Sequence, residues 1–99
     1  MTGYGGSMAR VVDNPSASQY EVFADDGALA GYSTYERQGD HIVFLHTEID
    51  LDHEGQGLGS ILVRTALEDV RDRGLKVVPR CPFVKEYLER HLEYDGLRA

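Results

Sequence analysis

The sequence contains one cysteine, no tryptophan and three prolines in 99 residues. A single cysteine cannot close an intrachain disulfide, so no disulfide framework is available, and a reducing, cytoplasmic setting is expected. Cations are scarce. Ten Lys and Arg against seventeen Asp and Glu leave a net charge of −7. A nucleic-acid binder needs the opposite sign to displace counterions from phosphates, so no nucleic-acid partner is expected. No stretch approaches the ~18 apolar residues of a membrane span, and none has the pattern of a secretory signal, so no membrane partner is expected either. What is present is ordinary for a folded chain: 41% hydrophobic and 27% charged residues. At this length they fit one core with a radius of gyration of roughly 13 Å.

Residues 1–8 are uncharged Gly, Ser and Thr around one Tyr and end at a second methionine. They read as a disordered or vector-derived leader, with the native start at Met8 and a single domain over 9–99. Val11 and Val12 mark a short strand that Asn14-Pro15 stops, and Tyr20, Val22 and Ala24 alternate with Glu21 and Phe23 before Asp25-Asp26-Gly27. Leu29 to Gln38 and His41 to Ile49 flank Gly39-Asp40, so three to four strands form an antiparallel meander. The period then changes. Leu58, Ile61, Leu62, Ala66 and Val70 fall at helical spacing, with Gly74 where a C-cap belongs. Leu75 to Val78 reads as a short strand ended by Pro79. Pro82, followed by Phe83, Val84, Tyr87, Leu88, His91 and Leu92, predicts a second helix. A strand, a crossover helix and a strand imply one parallel pair joined to the meander, which makes the class α/β.

The informative stretch is Glu54-Gly55-Gln56-Gly57-Leu58-Gly59-Ser60, between the longest strand and the long helix. Glycines on alternate positions let backbone N–H groups approach an anion at the positive end of the helix, as a pyrophosphate cradle requires. A Walker loop needs a Gly-Lys-Ser/Thr sequence that is absent here, and the glycines are spaced G-x-G-x-G instead of the dinucleotide pattern G-x-G-x-x-G. A calcium loop fits Asp50, Asp52, Glu54 and Gly55 but puts Ile61 where a bidentate glutamate belongs. A plain tight turn with its acids in water remains the alternative.

With the glycines opening the helix, this stretch resembles the acetyl-coenzyme-A signature of the GNAT N-acetyltransferase superfamily, Arg/Gln-x-x-Gly-x-Gly/Ala, on Gly57 and Gly59. The lack of an N-terminal strand-helix-helix portion, the string His46-Thr47-Glu48-Ile49, and Val78-Pro79-Arg80-Cys81-Pro82-Phe83-Val84 are similar to the small single-domain GNAT subgroup, from about residue 11 to residue 97. Glu54 stands where the signature has Arg or Gln, which leaves the pyrophosphate to the backbone. The resemblance implies a truncated GNAT fold. It also implies acetyl-CoA as cofactor, lying in an opening between the two parallel strands and contacting Ile49, Glu54, Gly55, Gln56, Gly57, Leu58, Gly59, Ser60, Cys81 and Phe83. The activity implied is acetyl transfer to a primary amine.

Such a transfer needs a group to hold the acetyl carbonyl, a base for the ammonium and an acid for the departing thiolate. Cys81 ends the second parallel strand and precedes a helix N-terminus, which favours the thiolate. Three roles are open to it: covalent nucleophile, lining of the thioester pocket, or packing. Glu48 and His46 alternate onto one face of the long strand, and a Glu48 carboxylate partly buried in the sheet would have its pKa raised toward that of a general base. The bland reading makes them polar partners on a solvated face. Tyr87 would protonate the departing thiolate or pack in the core. Arg64, Arg80 and Lys85 are the candidate cations for the ribose phosphate. His41, His53 and His91 lack metal-ligand spacing, so no metal is expected. An acidic surface suits a cationic acceptor such as a lysine side chain, a basic peptide or a polyamine. Two other readings stay open: a coenzyme-A-binding regulatory or interaction module without robust catalysis, and an interaction domain with no ligand.

Overall fold

A computed structural model describes residues 9–99, and the expected leader over 1–8 lies outside the described residues. Four antiparallel strands come first: β1 (Arg10–Asn14), β2 (Gln19–Phe23), β3 (Leu29–Gln38) and β4 (His41–Ile49). Helix α1 (Leu58–Asp72), strand β5 (Lys76–Pro79) and helix α2 (Pro82–Arg90) follow, with 3-10 turns at Pro15–Ala17, Leu51–His53 and Leu92–Leu97. The sheet order is β1-β2-β3-β4-β5, with only the β4–β5 pair parallel, so α1 is the crossover the sequence implied. The short first strand lies at one edge of the sheet. At the other edge the chain end lies along β5, where Ala99 N donates to the Val77 carbonyl at 2.9 Å.

The helical period of α1 puts Leu58, Leu62, Val63, Ala66, Leu67 and Val70 inside. They pack against Tyr20, Val22, Ala30, Tyr35, Ile42 and Phe44 of the sheet in one core that also takes Val84 and Leu88 of α2. Each Val, Leu, Ile or Phe among them contributes roughly 1.5–3 kcal/mol of burial.

Two features depart from the sequence reading. Helix α2 stops at Arg90 and does not include His91 and Leu92. The His91 ring turns back, stacks on Tyr87 at 3.9 Å and approaches the Tyr87 carbonyl at 2.9 Å through Nδ1. That carbonyl is the one His91 N–H would take in a continuing helix, so the ladder ends and Leu92 is left 72% exposed. The second feature is a bulge between β3 and β4, where Thr34 pairs with His46 but Tyr35 pairs with Phe44, leaving Leu45 over. The extra residue shifts which side chains face inward. Above it Ile42 and Phe44 enter the core; below it Ile49 does, and Thr47 meets the buried Ser33. His46 and Glu48 are turned to the opposite, exposed face.

A buried-edge polar network ties α1 to the sheet. The Tyr20 hydroxyl donates to Asp69 and the Tyr35 hydroxyl to Asp13, each at 2.6 Å, and Arg73 Nη1 bridges the two carboxylates at 3.1 and 3.2 Å. From the neighbouring position on α1, Glu68 accepts a hydrogen bond from the Tyr94 hydroxyl at 2.8 Å. Burial, reinforced by these hydrogen bonds to carboxylates, pushes Tyr35 and Tyr94 up to about 12 and Tyr20 up as well. The folded state therefore holds these protons more tightly than the unfolded chain does. Stability is fully present below the ordinary tyrosine value of 10.0 and is lost as pH rises from there toward about 12. Thermal melts should hold a level Tm up to that onset and fall beyond it, and Tyr35→Phe should flatten the fall. A Tm that stays level through the whole alkaline range would show that these hydroxyls are not protonated reserves of the fold.

Candidate active site

The two parallel strands separate at one atom. The Phe44 carbonyl accepts from both Arg80 N at 3.1 Å and Cys81 N at 2.9 Å, after which β5 gives way to α2 while β4 runs on to Ile49. The chain thus leaves one side of β4 without a neighbouring strand from His46 onward. The resulting cleft, of about 670 Å³, is lined by His46, Thr47, Cys81, Pro82, Phe83 and Lys85 together with two glutamates of α2. Phe83 also lines a second cavity of about 400 Å³, bordered by Ile49, His53, Glu54, Gly55 and residues 57–60 but not by Gln56. One aromatic side chain therefore separates the cysteine from the start of α1.

The glycine turn is built for an uncovered helix end. Gly57 is the N-cap residue at φ +75°, a conformation costly to side-chain-bearing residues, and its carbonyl accepts from Ile61 N at 3.2 Å. No side chain caps the helix, so the first-turn N–H groups of Leu58, Gly59 and Ser60 have no intrahelical partner. A Cβ on Gly57 or Gly55 would meet nothing within 4 Å, whereas one on Gly59 would come 2.6 Å from Phe83 Cζ. Gly59 is small so that Phe83 can lie against the helix, and Phe83, 39% exposed, leaves the core face the helical pattern had assigned it. Gln56 is exposed in the turn.

Two hydrogen-bonded chains flank the splay, one on each side of β4. Inward, Cys81 Sγ donates to Thr47 Oγ1 at 3.3 Å, and Thr47 shares a 2.9 Å hydrogen bond with Ser33. Outward, His46 Nε2 lies 3.0 Å from Glu48 Oε1, which also accepts from the Tyr32 hydroxyl at 3.2 Å. Glu48 is exposed, and the hydrogen bonds from His46 and then Tyr32 hold its carboxyl below the usual range. The expected upward shift from partial burial is overturned: this part of the sheet leaves the carboxylate in water, and its two donors favour the ionised form.

Residues 19–97 match the family model for GCN5-related N-acetyl-transferase. The chain belongs to this family. No curated protein sequence matches it. Among solved structures, a GCN5-like protein from Staphylococcus aureus, determined by NMR, shares 23% identity at a TM-score of 0.70, with 94% of this chain and 90% of that one covered. That likeness shows the fold. Nourseothricin acetyltransferase shares 28% identity at a TM-score of 0.50, over 69% of this chain and 42% of that one. A GCN5-related N-acetyltransferase from Sphaerobacter thermophilus shares 20% identity at a TM-score of 0.53, over 76% and 28%. The chain is thus a GNAT-type acetyltransferase whose α/β fold corresponds to less than half the length of the latter two proteins.

Members of the family use acetyl-CoA. The GNAT cleft fits such a group through its backbone: an uncapped helix of 15 residues, a left-handed glycine at its head and open space where side chains would project. Glu54 borders the same cavity, so no side-chain cation from that position assists. Of the other expected residues, Lys85 lines the cysteine cleft, while Arg64 and Arg80 are simply exposed. Tyr87 is buried and stacked on His91, its phenol raised by burial, and it borders a small cavity of about 90 Å³ with Ser60, Phe83 and Arg90. It does not line the cleft that holds Cys81. From sequence, Thr47 and Ser33 have no assigned role, and His53 figures only as a histidine without metal-ligand spacing. Thr47 stood inside the quoted string, but only the bulge at Leu45 reveals that it points toward the cysteine.

Proposed function

We propose that this GNAT protein transfers an acetyl group from acetyl-CoA to a primary amine on a cationic acceptor, such as a polyamine, a lysine side chain or a basic peptide. The observation that carries the reading is the splay of β4 from β5 at the Phe44 carbonyl, with the bare head of α1 on one flank and Cys81 on the other. When bound, the cofactor supplies an acetyl group activated as a thioester.

The chain's own groups do the rest. N–H groups of residues 58–60 hold the pyrophosphate, and the strand-free side of β4 offers backbone partners to the pantetheine arm. Cys81, only 2% exposed yet lining the cleft, bounds the thioester site. Glu48, Asp50 and Glu54 line an adjoining cavity of about 590 Å³, which with the net charge of −7 favours a positively charged acceptor. The acceptor ammonium must lose a proton before it can attack. His46 is the imidazole on the rim of the cleft, and Glu48 orients it through Nε2, leaving Nδ1 to take that proton. Glu48 therefore acts through His46.

An acceptor panel tests this. Spermidine, a lysine-containing basic peptide and a neutral amine of similar reach are each incubated with acetyl-CoA and protein, and free thiol and acetylated product are measured. Product from the cationic amines above the uncatalysed rate supports the reading. Tight acetyl-CoA binding with no product from any amine would make the protein a coenzyme-A-binding module instead.

A further inference from the structure

Tyrosine hydroxyls and the Cys81 thiol aside, Ser33 is the one buried polar or charged side chain among the described residues, with 0% of its surface exposed. It sits in the middle of β3, between inward-facing positions that are otherwise apolar. A buried hydroxyl without a partner is destabilising, so its placement needs a reason. Its partner is Thr47, the cross-strand neighbour on β4, at 2.9 Å. Thr47 is itself the only hydrogen-bond partner of the Cys81 thiol among the described residues, at 3.3 Å, and both line the cleft.

We propose that Thr47, anchored by Ser33, is a positioning residue that holds the Cys81 sulfur in the cleft in both its thiol and its thiolate forms. A hydroxyl has one proton to give and two lone pairs. When Ser33 donates to Thr47 Oγ1, Thr47 still has a lone pair for the S–H of the thiol. Once that proton has left, the Thr47 O–H rotates to donate to the sulfur. An apolar residue at 47 would pack as well but would leave the thiolate without a donor. Ser-Thr pairs across strands also stabilise sheets, so loss of stability alone does not separate the two roles. The proposal rests on the reading that the Cys81 cleft is the thioester site.

Because Cys81 is the sole cysteine, alkylation of the whole protein by iodoacetamide, followed by intact mass, reports on one atom. In Thr47→Val the pH profile of the rate should move to higher pH, with alkylation near neutrality about tenfold slower, the size expected for losing one hydrogen bond to a charged group. Thr47→Ser should restore the wild-type profile. Ser33→Ala, which removes the anchor but keeps the strand, should move it in the same direction by less, and serves if the valine variant fails to fold. An unchanged profile in the folded Thr47→Val variant, or in Ser33→Ala where that variant stands in for it, overturns the assignment. Protection of wild-type Cys81 by acetyl-CoA is measured in parallel. Absence of protection overturns the reading of the site itself, independently of the profiles.

Discussion

His46→Ala is expected to lower kcat by about 10²–10⁴-fold, the usual contribution of a positioned general base, while acetyl-CoA binding and Tm stay at wild-type values. The separation follows from where the residue sits. Its ring is 61% exposed, outside the core, and it touches Glu48 and Tyr32 on the face of β4 opposite to Thr47. Removing it breaks no packing that holds the sheet. Glu48→Gln should lose less, since the imidazole remains but loses the anion that orients it. The pH behaviour has a definite sign. Because hydrogen bonds from His46 and Tyr32 hold the Glu48 carboxyl below its ordinary value, the His46–Glu48 pair persists as pH falls through the usual carboxylate range and is lost only beneath it. Tyr32→Phe removes one of those donors and should move that loss to higher pH. Full activity in His46→Ala would move the base elsewhere and leave the outward chain as surface structure.

Gly57→Glu is expected to abolish acetyl-CoA binding with little change in melting. At φ +75° a side-chain-bearing residue costs about 1 kcal/mol or somewhat more. A carboxylate at a helix N-terminus returns about 0.3–1 kcal/mol through the dipole, so the fold should tolerate the change. A Cβ there meets nothing within 4 Å, so no clash adds to the cost. The ligand meets the opposite situation, because the new charge stands where the pyrophosphate would accept from the first-turn N–H groups. Gly57→Ala separates the effects: it keeps the backbone strain without the charge, and should weaken binding only modestly. Equal loss in the two variants would mean that backbone conformation, and not charge, governs the cradle.

Much of this arrangement was legible because its signals are local. The Gly39-Asp40 turn bounds β3 and β4 at the expected residues, and the apolar spacing of Leu58, Leu62, Ala66 and Val70 defines α1. The glycine run was visible for the same reason: three glycines on alternate positions across a helix start have few structural uses. What was hidden depended on side chains meeting across the fold. Ile42, Val43, Phe44 and Leu45 are consecutive apolar residues, so the strand showed no alternation there from which a bulge might be read. The inward turn of Thr47 was lost with it. The end of α2 escaped because His91 fits the helical period, and only its stacking on Tyr87 takes it off the helix. For Glu48 the sequence leaves two readings open, because membership of a sheet allows either partial burial or a solvated face, and the residue lies on the exposed face.

The most direct measurement is a titration of acetyl-CoA into the isotope-labelled wild-type protein followed by its amide NMR spectrum, which an 11.0 kDa chain resolves well. The account expects saturable shifts concentrated at residues 55–60, at Thr47 and Ile49 on the strand-free side of β4, and at Cys81 and Phe83. An unchanged spectrum, or shifts confined to β1, β2 and the far end of α1, would contradict it and leave the glycines as the makers of a turn.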